Sequence, residues 1–133
     1  MSYLKHDFED ELADALAQAR EQNKQVLIEF GGDWCIWSKR MERVLAKSDM
    51  DRLIADNFLF LRCYMGYDGE HYFPFDRIDV PNLKSVPYFI LLNTECELVA
   101  SSSTEQFEFW RFYRKGKLKK FLQRWAARNY AVA

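Results

Sequence analysis

A chain of 133 residues, 49% apolar and 17% aromatic, has the length of one domain with a sizeable core and too many core-forming residues for disorder. No apolar run approaches the roughly 20 residues of a membrane-spanning helix, and three cysteines without paired spacing supply neither a disulfide framework nor a four-ligand zinc site. The formal charge of −1 conceals an uneven distribution, with eight Lys or Arg and no acid between Arg111 and Arg128. A single domain over 1–133, monomeric and without metal or cofactor, is the expectation. The opening MSYLKHDFEDELADAL is acidic and amphipathic, unlike the basic-then-apolar layout of a signal peptide. As it stands the sequence implies a cytoplasmic protein, and a periplasmic or secreted one if a leader has been removed.

In chain order, Phe8, Leu12, Leu16 and Ala19 recur at helical spacing among Asp7, Glu9, Asp10, Glu11 and Asp14, which predicts a surface helix ending near Asn23. Val26, Leu27, Ile28 and Phe30 form an apolar run too short for a helix, the pattern of a strand buried on both faces. Gly31 and Gly32 end it. From Cys35 onward Trp37, Met41, Val44 and Leu45 return to helical spacing, so Cys35 lies near a helix N-terminus. The unpaired N–H groups and partial positive charge there favour a nucleophilic cysteine; a small cysteine that merely packs is the plainer alternative.

Ser48 and Asp49 suggest an N-cap for a short helix through Ala55, closed by Asn57. Phe58 to Tyr64 reads as a strand with Leu59, Leu61 and Cys63 on one face and Phe58, Phe60, Arg62 and Tyr64 on the other. Cys63 is either core or, at its strand's C-terminal end, a resolving thiol. Residues 65–80 form a long irregular connection whose Tyr67, Tyr72, Phe73 and Phe75 either pin it to the body or shape a peptide groove, and His71 reads as a solvated loop residue. Tyr88 to Leu92 is a strand, 93–96 a turn carrying an exposed Cys96, and Glu97 to Ser101 the next strand. Leu118, Phe121, Leu122 and Trp125 fall at i, i+3, i+4 and i+7, so the basic segment is an amphipathic helix with solvated charges, partly offset by the acidic first helix if the two are neighbours. A nucleic-acid surface is the weaker reading.

The segment Trp34-Cys35-Ile36-Trp37-Ser38 resembles the W-C-x-x-C active site of the thioredoxin superfamily, in the W-C-x-W-C form of bacterial disulfide-isomerase-like domains, with serine for the second cysteine. Glu29, six residues before Cys35, matches the buried acid of such domains, and Val86-Pro87 resembles the step whose cis proline faces the active-site cysteine. The resemblance covers about residues 8–125, and the C-x-x-S form is also similar to anterior gradient proteins. It implies a thioredoxin-like α/β fold, a central mixed sheet with helices on both faces and an added N-terminal helix. It further implies Cys35, Ser38 and Glu29 as catalytic residues, Trp34, Trp37, Val86 and Pro87 as the substrate-binding rim, and an extended peptide pairing with the Val86 backbone.

Ser38 changes the expected chemistry, because a serine hydroxyl cannot release a mixed disulfide as a second thiolate does. What remains is monothiol exchange or isomerisation on a cysteine-containing protein or peptide, resolved by an external thiol such as glutathione, with Ser38 free to hydrogen-bond Cys35. Two other readings stay open: a non-enzymatic module that captures clients through Cys35 and its tryptophans, and a dithiol oxidoreductase in which Ser38 replaces the resolving cysteine. Glu29 is harder to justify, since a buried carboxylate costs several kcal/mol unless paired or protonated.

Overall fold

The computed structural model describes residues 3–5 and 8–127, so Asp7 of the first acidic turn and Arg128 of the basic segment lie outside it. The elements run α1 (Phe8–Gln22), β1 (Gln25–Gly31), α2 (Ile36–Leu45), α3 (Ser48–Asn57), β2 (Phe58–Tyr64), β3 (Tyr88–Leu92), β4 (Leu98–Ser103), a 3₁₀ turn (Glu105–Phe107), a short hairpin of β5 (Glu108–Phe109) and β6 (Phe112–Tyr113), and α4 (Lys115–Ala127). The main sheet has the order β2-β1-β3-β4; β1 and β2 are parallel and the other pairs antiparallel. This is the thioredoxin-like α/β arrangement with helices on both faces of a mixed sheet.

Side-chain alternation divides the core. Val26, Ile28 and Phe30 of β1, with Ile90 and Leu92 of β3, pack under α1 and the connection through Phe73, Ile78 and Val80. Leu27, Phe89 and Leu91 face the other way, against α2, α3 and α4. Because β1 has covered neighbours on both faces, its apolar residues are wholly buried, each contributing about 1.5–3 kcal/mol. The buried stripe of α1 is Phe8, Leu12, Ala15, Leu16 and Ala19, and that of α4 is Leu118, Phe121, Leu122, Trp125 and Ala126. No helix among the described residues is long and apolar enough to cross a membrane.

Several local expectations need correction. Lys47, not Ser48 or Asp49, is the N-cap of α3, without a side-chain capping bond. The residues α1 and α4 bury belong to clusters on opposite faces of the sheet, so the acidic helix does not offset the basic one. The carboxylate of Asp49 in α3 does so instead, 3.0 Å from Lys115 Nζ and 3.3 Å from Lys119 Nζ, and these lysines hold it below the usual carboxylate range. Cys96 is half-buried rather than exposed, in the turn after β3, where its φ of 65° is a conformation that glycine adopts more freely. The connection 65–86 is pinned by Phe73, edge-on to Phe30 at 5.0 Å and tilted on Phe8 at 5.7 Å.

Cys63 is completely buried under α1, and burial pushes its thiol from the ordinary 9.0 up to about 12. Between those values the unfolded chain gives up this proton and the folded chain keeps it, so folding stability declines as pH rises above about 9. The midpoint of urea unfolding should fall between about pH 8 and 10, and should fall less in Cys63→Ala. Equal slopes in the two proteins would show that Cys63 is not the source.

Candidate active site

β1 ends at Gly31, and a turn through Gly32, Asp33 and Trp34 delivers the chain to α2 with Cys35 as its N-cap in extended conformation. Cys35 N–H donates to Gly32 O at 3.1 Å, and Cys35 O accepts the first helical bond from Lys39 N–H, also at 3.1 Å. The sulfur therefore sits where β1 hands over to α2, half-exposed, with no side-chain capping bond at this helix end. Its polar neighbour across the fold is Val86 O, 3.9 Å from Sγ, and the Val86–Pro87 peptide is cis. Thr104 Oγ1–H donates to Pro87 O at 3.0 Å and shares a hydrogen bond with the Tyr113 hydroxyl at 3.2 Å.

Ser38, one turn into α2, is buried. Its hydroxyl does not meet Cys35; it accepts from Gly32 N–H at 3.3 Å and lies beside the Tyr3 hydroxyl, both facing Gly31. Tyr3 O–H donates in turn to Glu29 Oε2 at 2.5 Å, and Glu29 Oε1 accepts from Arg62 Nε at 3.0 Å. Arg62 Nη1 reaches Glu42 Oε1 at 3.0 Å, at the partly exposed end of the chain of contacts. The Arg62 guanidinium also lies 3.9 Å from the Tyr3 ring centre. Gly31 is required where these groups meet, since a Cβ there would fall 2.4 Å from Tyr3 Oη and 2.8 Å from Ser38 Oγ.

The electrostatics follow from burial. Burial pushes the Glu29 carboxyl up, against the opposing pull of Arg62 and the Tyr3 hydroxyl. The Tyr3 hydroxyl is driven well above the ordinary tyrosine value, first by burial and then by Glu29. For Arg62 burial works against the charge, but Glu29, Tyr3 and Glu42 outweigh it and the guanidinium is held more firmly protonated. A hydrogen-bonded line thus runs from Tyr3, beside position 38, through a carboxyl and a guanidinium to the surface.

Trp34, 45% exposed, donates from Nε1 to Met65 O at 2.8 Å and meets the Tyr67 ring edge-on at 5.6 Å. Together with Met65, Gly66, Ser85 and Val86 these rings line an open groove of about 250 Å3. Trp37 turns elsewhere: it is half-buried against the α2–α4 core, edge-on to Tyr113 at 4.9 Å, with the Arg40 guanidinium 4.6 Å from its ring. A cavity of about 510 Å3 between α1 and residues 77–78 contains none of the residues around Cys35, although Cys96 borders it.

Sequence reasoning missed Tyr3, Arg62, Glu42 and Tyr113 as parts of this region. A signal existed for Arg62 alone: a single basic residue in an otherwise apolar strand, falling opposite the single acid of the preceding strand once β1 and β2 pair in parallel with Glu29 beside Arg62. Tyr3 carried none, because its place depends on residues 3–5 joining the outer edge of β2, where Leu4 bridges Cys63.

With this geometry in view, comparison with known proteins is informative. No curated protein sequence gives a significant match. Among solved structures, a disulphide isomerase from Xylella fastidiosa Temecula1 superposes with a TM-score of 0.77 at 17% identity, over 92% of this chain and 94% of that one. A thioredoxin from Thermus thermophilus gives 0.62 at 20% identity, over 98% and 92%. The DsbD C-terminal domain of Neisseria meningitidis in its oxidised form gives 0.62 at 16% identity, over 93% and 98%. At these identities the likeness is one of fold. A family model described as thioredoxin-like matches residues 7–94, and the chain belongs to that thioredoxin-like family.

Proposed function

We propose that the protein carries out thiol-disulfide exchange of monothiol type through Cys35. The observation that carries the reading is the half-exposed Cys35 sulfur at the N-cap of α2, facing Val86 O beside an aromatic groove, with a buried serine at the resolving position. Structural neighbours named as a disulphide isomerase and a thioredoxin support the reaction class, and the W-C-x-W-S segment supports the single-thiol form, as in C-x-x-S relatives such as the anterior gradient proteins. The Cys35 thiolate attacks one sulfur of a client disulfide; a Cys35–client S–S bond forms, the client's own S–S bond breaks, and the departing sulfur leaves as a thiolate that takes up a proton. A second thiol, either the client's own in isomerisation or an external one such as glutathione, then attacks the mixed disulfide and frees Cys35. No electrons are gained or lost by the domain over the cycle.

The client is a cysteine-containing protein or peptide, and residues 1–133 act as one monomeric domain. Trp34 and Tyr67 present rings to it, and Val86 N–H, which makes no hydrogen bond within the described residues, is available to pair with an extended backbone. Trp37 contributes by fixing α2 against Tyr113. A second reading, a dithiol enzyme in which Ser38 stands for the resolving cysteine, is favoured by one observation: the line from Tyr3, beside position 38, to Glu29 is what a second thiol would need to lose its proton.

Iodoacetamide should modify Cys35 first, then Cys96, whose thiol burial pushes up, and Cys63 last. Peptide mapping at short times reads the order, and earlier labelling of Cys96 would contradict the assignment.

Ser38→Cys should place two sulfurs one helical turn apart and convert a stable mixed disulfide into turnover on a model protein disulfide in the presence of a dithiol recycling system. Adding Glu29→Gln should slow that turnover by about tenfold or more by removing the proton acceptor, with circular dichroism confirming that the fold is retained. Absence of both an internal disulfide and turnover in Ser38→Cys would favour the non-enzymatic client-binding reading.

A further inference from the structure

The large apolar side chains exposed among the described residues fall in two places: Trp34, Ile36 and Tyr67 around the Cys35 groove, and Phe109, Trp110 and Phe112 on the β5–β6 hairpin. The three hairpin rings are 56%, 74% and 61% exposed. Isolated exposed rings are ordinary, whereas three on one short hairpin form a patch that asks for a partner.

The hairpin is built to hold them outward. Trp110 opens the turn with φ 56°, a left-handed conformation that a bulky side chain adopts only under strain and that glycine or asparagine takes freely. The base is tied to the groove's surroundings. Tyr113 is buried against Trp37 of α2, and its hydroxyl shares a hydrogen bond with Thr104, which holds the carbonyl of Pro87. Cys35 and the hairpin are thus braced by the same few side chains.

Charge indicates the kind of partner. Residues 111–127 contain no acid. Lys115 and Lys119 are engaged by Asp49. Arg111 and Arg114 pair with no carboxylate among the described residues; their guanidiniums lie over aromatic faces, 5.0 Å from the Trp110 ring centre and 4.6 Å from Phe109. Cationic planes stacked on exposed rings offer apolar contact and anion pairing side by side.

We propose that the Glu108–Tyr113 hairpin is a docking arm for the polypeptide client of Cys35, holding a client segment in which apolar and acidic residues flank the reacting cysteine. The inference rests on the exchange reading above and adds to it the class of client. Its attachment to the Pro87 turn and to Trp37 favours a client of the same site over a lipid surface, for which no link to the nucleophile would be needed.

The test uses the whole chain in a Cys96→Ser background and two short peptides whose cysteine is activated as a mixed disulfide with thionitrobenzoate. One peptide has Phe, Leu, Asp and Glu around the cysteine, and the other Gly and Ser. Thionitrobenzoate release is compared with the reaction of 5,5′-dithiobis(2-nitrobenzoate), too small to reach the arm. The expected result is a rate about tenfold higher for the apolar-acidic peptide relative to the small disulfide, with most of that preference lost in Trp110→Gly. That substitution relaxes the turn, and an unchanged thermal midpoint or a higher one separates lost docking from lost folding. No preference, or a preference retained in Trp110→Gly, overturns the proposal. So does sedimentation of the wild type, but not Trp110→Gly, with phosphatidylserine vesicles when no peptide preference is seen, since the arm would then be a lipid contact. If Cys35 reacts with none of the three disulfides, the exchange reading fails by itself. Fluorescence anisotropy of the apolar-acidic peptide with serine for cysteine then decides the arm: binding by wild type and not by Trp110→Gly sustains it, and no difference sinks it.

Discussion

The arrangement of this protein depends on one buried ion pair. Glu29 sits in the middle of a strand covered on both faces, where an uncompensated carboxylate would cost several kcal/mol. Parallel pairing sets Arg62 of β2 directly beside it, and the 3.0 Å contact between them joins the two strands by their side chains as well as their backbones. Breaking such a pair by removing one partner costs about 3–5 kcal/mol. Tyr3 brings the N-terminal segment onto the same carboxylate, and Glu42 brings α2 onto the same guanidinium. Four parts of the chain converge on two charges, and α2, whose N-cap is Cys35, is one of them.

The order of elements was legible because burial and periodicity coincide. β1, β2 and β3 have the extents expected from their apolar runs, and the stripes of α1 and α4 are the buried ones. Where sequence reasoning failed, the deciding contact lay outside any local pattern. The β5–β6 hairpin went unrecognised because its turn, Trp110-Arg111, has none of the glycine or asparagine that marks such turns. Asp49 gave no sign that it would meet α4, since helix neighbours on a shared face are set by topology. Trp34 and Trp37, three apart and both beside Cys35, looked like one rim, but the first meets Tyr67 edge-on over the groove and the second meets Tyr113 edge-on over the core.

On the proposed reading, the serine at position 38 alters the chemistry without disturbing the frame. Its hydroxyl occupies a small buried space between Gly32 N–H and Tyr3, next to the hydrogen bond from Tyr3 to Glu29. In the proposed exchange Cys35 is the solitary nucleophile, with Cys63 sealed under α1 and Cys96 on the far turn after β3. A mixed disulfide formed at Cys35 has no internal thiol to release it, so its lifetime is set by whatever thiol arrives from outside.

That lifetime can be read directly. The native protein is incubated with glutathione disulfide near neutral pH, freed of excess reagent, and followed by intact mass with peptide mapping. One glutathione per chain is expected, attached to Cys35, persisting over hours and removed within minutes of adding reduced glutathione. No adduct at Cys35, or one that decays without an added thiol, would contradict it.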